Sequence, residues 1–370
     1  MSYGQVNADV IGTSVANSSL GAGNATLMKN KIINGACVID QRNAGASVSA
    51  VNGEYYLDRW SVNSYNGSST TGIFTIQQNA GSVTPPVGFT NYLGITSSAA
   101  TSYGANGIYA VTQPIEGFNT ADLGWGTANA KTVTLSFWVR SSLTGTFGGS
   151  LLNSAFNRSY PFSYTIASAN TWQQISVTIA GDTSGTWLTT NGAGIRVYFG
   201  FGVGSTYSGT AGSWASAQYH SATGATSVVG TNGATFYITG VQLEVGSSAT
   251  GFEYRQYGQE LALCQRYFYM ATRGAGEVGV GWNYTSAQAS WIVYFPATMR
   301  ANPSLFYNNG AYYNFFRNGT NQAISTLYID TPSTTECTIY NNFEISGTAG
   351  MAGVLRSSNS LGYVGFSSEL

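Results

Sequence analysis

The stretch TVTLSFWV, residues 132–139, decides the fold class. From Thr132 to Phe137 it alternates hydroxyl-bearing and large apolar side chains. This alternation is typical of a strand with one buried face, because successive side chains of a strand point to opposite sides. The same alternation recurs at 174–179, 195–199 and 235–243. The pattern therefore predicts an all-β protein.

Turn dipeptides separate these runs, at Asn66-Gly67, Asn106-Gly107, Gly181-Asp182, Asn191-Gly192 and Asn232-Gly233. Asn-Gly favours tight turns because both residues tolerate positive φ. Many short strands with such turns predict an antiparallel sandwich or jelly roll. A second set of strand patterns follows at 277–280, 290–295, 304–307, 338–340 and 362–366. We therefore expect a jelly-roll β-sandwich, a short linker helix and a second, smaller β-sandwich domain.

The domain boundaries follow from these patterns. We expect an N-terminal arm at 1–30, the jelly roll at 31–250, a linker at 251–270 and a distal β domain at 271–370. The helix falls at 258–268, with Leu261, Cys264 and Phe268 on one face. The stretch 261–270 is too apolar to stand free, and either packing between the two domains or three copies around an axis would bury it.

The composition excludes several classes of protein. Only 8% of the residues are charged and the net charge is −1, so the clustered Lys and Arg of a nucleic-acid binder are missing. With 43% hydrophobic residues the chain can bury a core. No run of about 20 apolar residues predicts membrane insertion, and no signal peptide opens the chain. The odd, widely spaced Cys37, Cys264 and Cys337 predict free, buried thiols from a reducing cytoplasm.

Several ordered strings carry a resemblance to a known family. They lie at 29–36, 39–45, 55–60, 238–246, 249–255, 260–268, 299–303 and 368–370. This set resembles a module of tailed-bacteriophage fibre and other virion surface proteins. The strings at 133–139, 165–174 and 181–187 look like a carbohydrate-binding-module jelly roll. The resemblance covers about residues 29–370.

The resemblance implies a virion fibre or tail-tip adhesin that binds host-surface glycan without catalysis. It also implies a homo-oligomer, a trimer as in that class of fibre, attached to other virion proteins through the N-terminal arm. The protein would be made in the host cytoplasm and carried on the virion surface. One alternative is a capsid decoration, head-fibre or collar structural protein, and a second is a glycan depolymerase.

Glycan recognition needs flat aromatic faces and short polar groups. A Trp beside Gly or small residues suits a loop, and such Trp residues occur at four places. The aromatic loop 207–220 adds two Tyr residues. The glycan-binding candidates are Trp125, Trp187, Trp214, Tyr207, Tyr219 and Trp282. Trp138 and Trp291 lie inside strand patterns and are core candidates. The aromatic hairpin at 309–319 is a candidate contact surface or subunit interface.

The few charged residues are interpreted as structural before any functional role is considered. Asp40, Arg42, Asp58 and Arg59 are predicted to form a buried or half-buried network that fixes strand register. We expect no cofactor; Glu244 and Glu253 are weak candidates for a structural Ca²⁺.

We expect no enzymatic activity. A glycosidase needs two carboxylates about 5–10 Å apart, and Glu116, Asp122 and Asp182 are the candidates in turns near aromatic residues. With one histidine in the chain, any His-dependent site must use His220.

Overall fold

A computed structural model describes residues 28–370 as two β domains joined by one helix. The first domain contains β1 (Val48–Val51), β2 (Tyr55–Leu57), β3 (Trp60–Asn66), β4 (Thr71–Gln78), β5 (Leu93–Ser97), β6 (Gly107–Glu116), β7 (Val133–Ser141), β8 (Gly145–Leu152), β9 (Ser159–Ile166), β10 (Gln173–Ile179), β11 (Ala193–Val203), β12 (Ser208–Gly209), β13 (Ser221–Ala222) and β14 (Thr235–Val245). The deciding stretch 132–139 therefore consists of Thr132 and the first seven residues of β7.

Two six-stranded antiparallel sheets form this domain. Sheet I has the order β1-β4-β5-β14-β7-β10, and sheet II has the order β2-β3-β6-β11-β8-β9. Strands distant in sequence lie side by side, as β14 between β5 and β7 shows. The predicted jelly-roll sandwich is confirmed.

Aromatic side chains from both sheets form the core between them. Phe137 of sheet I meets Phe199 of sheet II edge-to-face, with ring centroids 5.0 Å apart. Phe74 and Phe201 make a second contact of this kind at 4.9 Å. All four rings are fully buried. Burial of each large apolar side chain stabilises the fold by about 1.5–3 kcal/mol, so the alternation read from the sequence is also what holds the two sheets together.

Trp138 corrects one sequence prediction. Because Phe137 points inward, the pleat turns Trp138 to the outer face of sheet I, where it is half-buried and not in the core. It lies there against Gly240, which has a φ of +60°. A Cβ at Gly240 would approach the Phe89 ring to 2.6 Å, so this position in β14 requires glycine. The other core prediction, Trp291, is fully buried.

The distal domain contains ten strands. They are β15 (Phe268–Arg273), β16 (Gly276–Thr285), β17 (Gln288–Tyr294), β18 (Ser304–Tyr307), β19 (Tyr313–Arg317), β20 (Thr320–Ile324), β21 (Tyr328–Asp330), β22 (Glu336–Asn341), β23 (Ala352–Ser357) and β24 (Tyr363–Ser367). A three-stranded sheet has the order β15-β24-β18, and a seven-stranded sheet has the order β20-β19-β23-β16-β17-β22-β21. Both sheets contribute to one core around Trp291.

The linker helix α1 spans Tyr257–Gln265. It is shorter than predicted, because Phe268 already begins β15. Cys264 and Tyr267 are buried against Ile33 and Ile39 of the same chain. The apolar stretch 261–270 is therefore covered in large part by packing between the two domains, which was one of the two predicted ways of burying it.

Glu369 ties the end of the distal domain to the first domain. Its carboxylate pairs with Arg42 at 3.1 Å and also with Arg59. The two guanidinium groups lie over the rings of Phe268 and Tyr267, each 3.6 Å from the ring centroid. All three charged side chains are buried. Aromatic faces and one carboxylate therefore replace the water that the two cations lose.

Further polar contacts continue this interface, which we call the junction. Arg266 donates two hydrogen bonds to Glu116, at 2.6 and 2.9 Å, and the Tyr267 hydroxyl donates to the same carboxylate at 2.6 Å. Arg300 donates to the carbonyl oxygen of Asn191 in the first domain at 2.9 Å, and to those of Ser368 and Glu369 at the end of the distal domain at 2.7 and 2.9 Å. The two domains are thus joined by charge-assisted hydrogen bonds, which are stronger than neutral ones.

The predicted network among Asp40, Arg42, Asp58 and Arg59 is corrected by the structure, because these four side chains form no ion pair with one another. Both arginines pair with Glu369 and not with the neighbouring aspartates. Asp40 accepts hydrogen bonds from the backbone N–H groups of Asn43 and Gly45 and so closes a turn. Asp58 accepts from the backbone and side chain of Gln41. Burial raises the pKa of Asp58 to about 7, against the opposing effects of Arg42 and Gln41.

Several smaller predictions have structural outcomes. Cys37, Cys264 and Cys337 are free and buried, as expected. Within residues 28–370, no helix is long and apolar enough to span a membrane. Most of the predicted N-terminal arm, residues 1–27, lies outside the described residues. Its last residues are anchored, since the Asn30 N–H donates to Glu253 at 2.8 Å.

The variant Glu369→Gln tests the junction. It leaves Arg42 and Arg59 buried without a counter-charge, and breaking a buried pair in this way costs about 3–5 kcal/mol. We expect urea unfolding of the variant to show a loss of this size. Glu336→Gln, at an exposed carboxylate, is the matched control and should change stability by less than about 0.5 kcal/mol. Equal stabilities of the two variants would show that the junction does not depend on Glu369.

Candidate functional site

Three of the predicted glycan-binding residues form one cluster. Trp125, Trp187 and Trp214 come from three different loops, and their ring centroids lie 4.8–5.5 Å apart in edge-to-face contacts. Each indole N–H donates to a backbone carbonyl oxygen, at 2.8–3.2 Å. Trp125 and Trp187 are buried, and Trp214 is half-buried against Tyr160. Neither Trp125 nor Trp187 presents the open ring face that stacking on a sugar requires.

An ion pair holds the same loops together. Arg158 donates two hydrogen bonds to Asp182, at 2.6 and 2.8 Å, and a third to the Ser216 hydroxyl at 2.8 Å. The hydrogen bonds with Asp182 raise the pKa of Arg158. A planar, bidentate pair of this kind fixes both partners. The tryptophan cluster is therefore a rigid closure of the sandwich, with only part of Trp214 near solvent.

The loop of Tyr207 and Tyr219 lies over the outer face of sheet II. Tyr219 packs on Gly209, where an added Cβ would approach the Tyr219 ring to 2.2 Å. Tyr207 lies near His220, with ring centroids 5.7 Å apart. Both tyrosines are half-buried. The structure thus brings these two candidates to the same loop, as part of its packing on the sheet.

His220 is buried in this packing. Its ring meets Tyr198 edge-to-face at 4.5 Å, and its Nε2 lies 3.0 Å from Gln218 Nε2. Burial, followed by the Arg196 charge, lowers the pKa of His220 to about 3. A neutral, buried imidazole is a packing element here, with no carboxylate beside it to complete a catalytic triad.

The three candidate catalytic carboxylates are each paired with a cation. Asp122 accepts from Lys31 at 2.8 Å, Asp182 from Arg158 and Glu116 from Arg266. Burial would raise the pKa of Glu116, but hydrogen bonds from Arg266 and Tyr267 outweigh it and hold the pKa below its usual value. A general acid needs the opposite shift.

The weak calcium candidates have other partners. Glu244 accepts from the backbone and hydroxyl groups of Thr250 at 2.8 and 2.6 Å. Glu253 accepts from the backbone N–H groups of Met28 and Asn30. Glu253 thus anchors the chain at the start of the described region, and Glu244 holds the loop of Thr250. Across residues 28–370, no group of three His, Cys, Asp or Glu side chains is arranged to hold a metal ion.

Trp282 has a different setting from the other candidates. It lies in the middle of β16, not in a loop, which corrects the sequence prediction. Its side chain is 38% exposed on the outer face of the seven-stranded sheet. Tyr284 and Tyr294 on the same face are 64% and 67% exposed. A ring with an open face is what stacking on a sugar needs.

The strand register places further aromatic residues beside Trp282. Trp282 pairs with Ser290, Ser290 with Tyr340, and Tyr340 with Tyr328, so these four residues form one row across four strands. The rings of Tyr340 and Tyr328 lie 5.3 Å apart. We call this surface the aromatic face, defined by Val280, Trp282, Tyr284, Ile292, Tyr294, Tyr328, Tyr340 and Val354.

Sequence reasoning found Trp282 but missed its neighbours. The signal was present in β16, where Val280, Trp282 and Tyr284 alternate with Gly279, Gly281 and Asn283. Large residues at every second position share one face of a strand. The predicted aromatic hairpin at 309–319 divides between the two faces, since Tyr313 and Phe315 are buried in the core and Phe316 lies half-buried on the outer face.

Comparison with known proteins gives distant structural matches alone. No protein family and no curated sequence matches the chain. Among solved structures, the tailspike protein 4 enzymatically active domain of bacteriophage CBA120 has 12% identity and a TM-score of 0.32 over 59% of this chain. This chain spans 22% of that structure.

Carbohydrate-binding modules are also among the matches. A family 4 module has 14% identity and a TM-score of 0.28 over 58% of this chain and 98% of its own length. The family 11 module of Clostridium thermocellum has 12% identity and a TM-score of 0.27 over 56% of this chain and all of its own. Similarities at this level carry no functional conclusion.

His220 offers a pH prediction. Its pKa of about 3 lies below the usual value near 6.5, so the unfolded chain binds more protons between these two values. This contribution to stability is complete above pH 6.5 and is lost as the pH falls toward 3. We expect His220→Gln to lose less unfolding free energy between pH 6.5 and 4 than the parent chain. An imidazole NMR signal that titrates near pH 6.5 in the folded parent would contradict this.

Proposed function

We propose that this protein binds glycans through the aromatic face of its distal domain, without acting on them as an enzyme. One observation carries the proposal: Trp282, Tyr284 and Tyr294 expose large parts of their rings on one face of a sheet. Sugar rings stack on such faces, and the hydroxyl and amide groups of Ser, Thr and Asn suit sugar hydroxyls. Non-catalytic binding is supported by the ion pairs that occupy Glu116, Asp122 and Asp182.

We further propose a place on the surface of a bacteriophage virion, as a fibre or tail-tip adhesin that contacts the host-surface glycan. The support is the set of ordered strings from 29–36 to 368–370, which resembles the fibre module. Several of these strings meet at the junction, where Arg42, Arg59, Tyr267 and Glu369 are in contact. The protein would attach to the virion through its N-terminal arm, residues 1–30.

The variant Trp282→Ala tests glycan binding. Loss of one stacking ring should lower the affinity for a bound polysaccharide about tenfold or more. The measurement is binding to an array of bacterial surface polysaccharides, with circular dichroism to show that the fold is kept. Tyr257→Ala is the matched control, because Tyr257 is 63% exposed but lies at the start of α1. The proposed site is contradicted if the two variants bind equally well, or if Trp282→Ala binds as well as the parent chain.

The oligomeric state is a separate prediction. A fibre component of this class would form a homotrimer, so light scattering should give three times the chain mass of 39.0 kDa. Because the apolar part of α1 packs within its own chain, a trimer must use other surfaces. A monomer at micromolar concentration contradicts the trimer and leaves the glycan proposal standing.

A further inference from the structure

The aromatic face also has features that bear on which glycan it takes, and this inference rests on the proposed function. We propose that the face binds one extended chain of a neutral polysaccharide that carries methyl groups, such as acetamido or 6-deoxy methyls. The chain lies across the strands along the row Trp282, Ser290, Tyr340 and Tyr328. Three observations support this: the spacing of the row, the aliphatic strip beside it and the charges at its edge.

The spacing of the row suits successive sugars. Neighbouring strands lie about 4.8 Å apart, and Trp282 and Tyr340 are two strands apart in register. An extended pyranose polysaccharide advances by about one strand spacing per sugar, so alternate rings meet Trp282 and Tyr340. The Ser290 side chain between them is only 7% exposed, so the two rings, and not its hydroxyl, meet the sugar chain. A chain running along the strands would meet no such repeat.

The twist of the sheet selects a single chain. Adjacent strands rotate by about 20–25°, so the row from β16 to β21 turns by roughly 60–75° over three strand intervals. A flat crystalline polysaccharide would touch one end of such a row and miss the other. A single flexible chain can follow the rotation and contact Trp282 and Tyr328 together.

An aliphatic strip runs beside the row. Val280 pairs with Val354 on one side and with Ile292 on the other. These residues stand two positions along the strands from the aromatic row, about 7 Å away. Val280 is 63% exposed. Plain sugars present hydroxyl groups there and would cover this apolar surface poorly, whereas methyl substituents would bury it favourably.

The charges around the face disfavour anionic glycans. The row and the aliphatic strip contain no ionisable carboxyl, ammonium or guanidinium group. Three exposed carboxylates lie on the same side of the sheet, at Glu277, Asp330 and Glu336. Arg356 is already engaged over the Phe316 ring at 4.1 Å and with Asn321 at 2.6 Å. Both of these partners are neutral, so Arg356 keeps its charge and offsets one of the three carboxylates. A carboxylated polysaccharide would still meet net repulsion.

Calorimetry with four hexasaccharides tests the proposal on the full chain. The probes are cellohexaose, without methyl groups; chitohexaose, with acetamido methyls; a rhamnose hexamer, with 6-deoxy methyls; and oligogalacturonate, with carboxylates. We expect at least one methyl-bearing probe to bind about tenfold tighter than cellohexaose, and oligogalacturonate to bind about tenfold weaker. The two methyl-bearing probes distinguish the source of the methyl group.

Two variants keep the test specific. Val280→Thr keeps the shape of the side chain and should reduce the affinity advantage of the methyl-bearing probe over cellohexaose severalfold. The triple variant Glu277→Gln, Asp330→Asn, Glu336→Gln should raise oligogalacturonate affinity severalfold at low salt, where charge repulsion is least screened. No effect of Val280→Thr overturns the methyl assignment, and tight oligogalacturonate binding by the parent overturns the neutral assignment.

The failure of the proposed function gives a different result. In that case no hexasaccharide binds and Trp282→Ala binds the polysaccharide array as the parent does. If Trp282→Ala instead lowers the mass measured by light scattering, a second copy of the chain covers the aromatic face, and both proposals are overturned. If the parent chain binds the polysaccharide array but does not prefer the methyl-bearing probes, only the assignment of a neutral, methyl-bearing glycan is overturned.

Discussion

The buried carboxylate of Glu369 is the constraint on which the arrangement of the two domains depends. Arg59 and Arg42 are almost fully removed from water, and a guanidinium group stays charged in a protein interior. Such a group must find a counter-charge or the fold loses several kcal/mol. Glu369 supplies that charge to both, while Tyr267 and Phe268 supply ring faces. The end of the distal domain therefore cannot move away without leaving both arginines without a counter-charge.

This constraint explains where a charge-poor chain keeps its charges. Arg266, Arg300 and Glu116 join the same interface, and the strings that resemble fibre proteins meet there. These strings describe how two sandwiches are held together. They say little about a ligand, because the aromatic face, where we propose that glycans bind, is another surface of the distal domain.

The strands were predictable, and the site was predictable in part. Alternation in 132–139 and in 174–179 predicts β7 and β10 because it reports a local property, the period of a strand. The partner of Arg59 lies 310 residues away, and no local pattern indicates it. The grouping of Trp125, Trp187 and Trp214 is likewise tertiary. Gly or small residues near each Trp predict a loop, but three loops that converge on one point bury two of the rings in a closed cluster.

The open surface follows from what the other faces do. The outer face of sheet I is covered in part by Ala80 and Tyr92, which pack with Tyr237. The outer face of sheet II carries the loop of Tyr207 over Tyr198. The aromatic side chains on these two outer faces are already packed against other residues of the same chain. Across the described residues, the aromatic face of the distal sheet retains large rings without such a cover. Because an apolar surface in water is stabilised when it is covered, this exposed aromatic surface is the physical basis of the proposal that a ligand binds there.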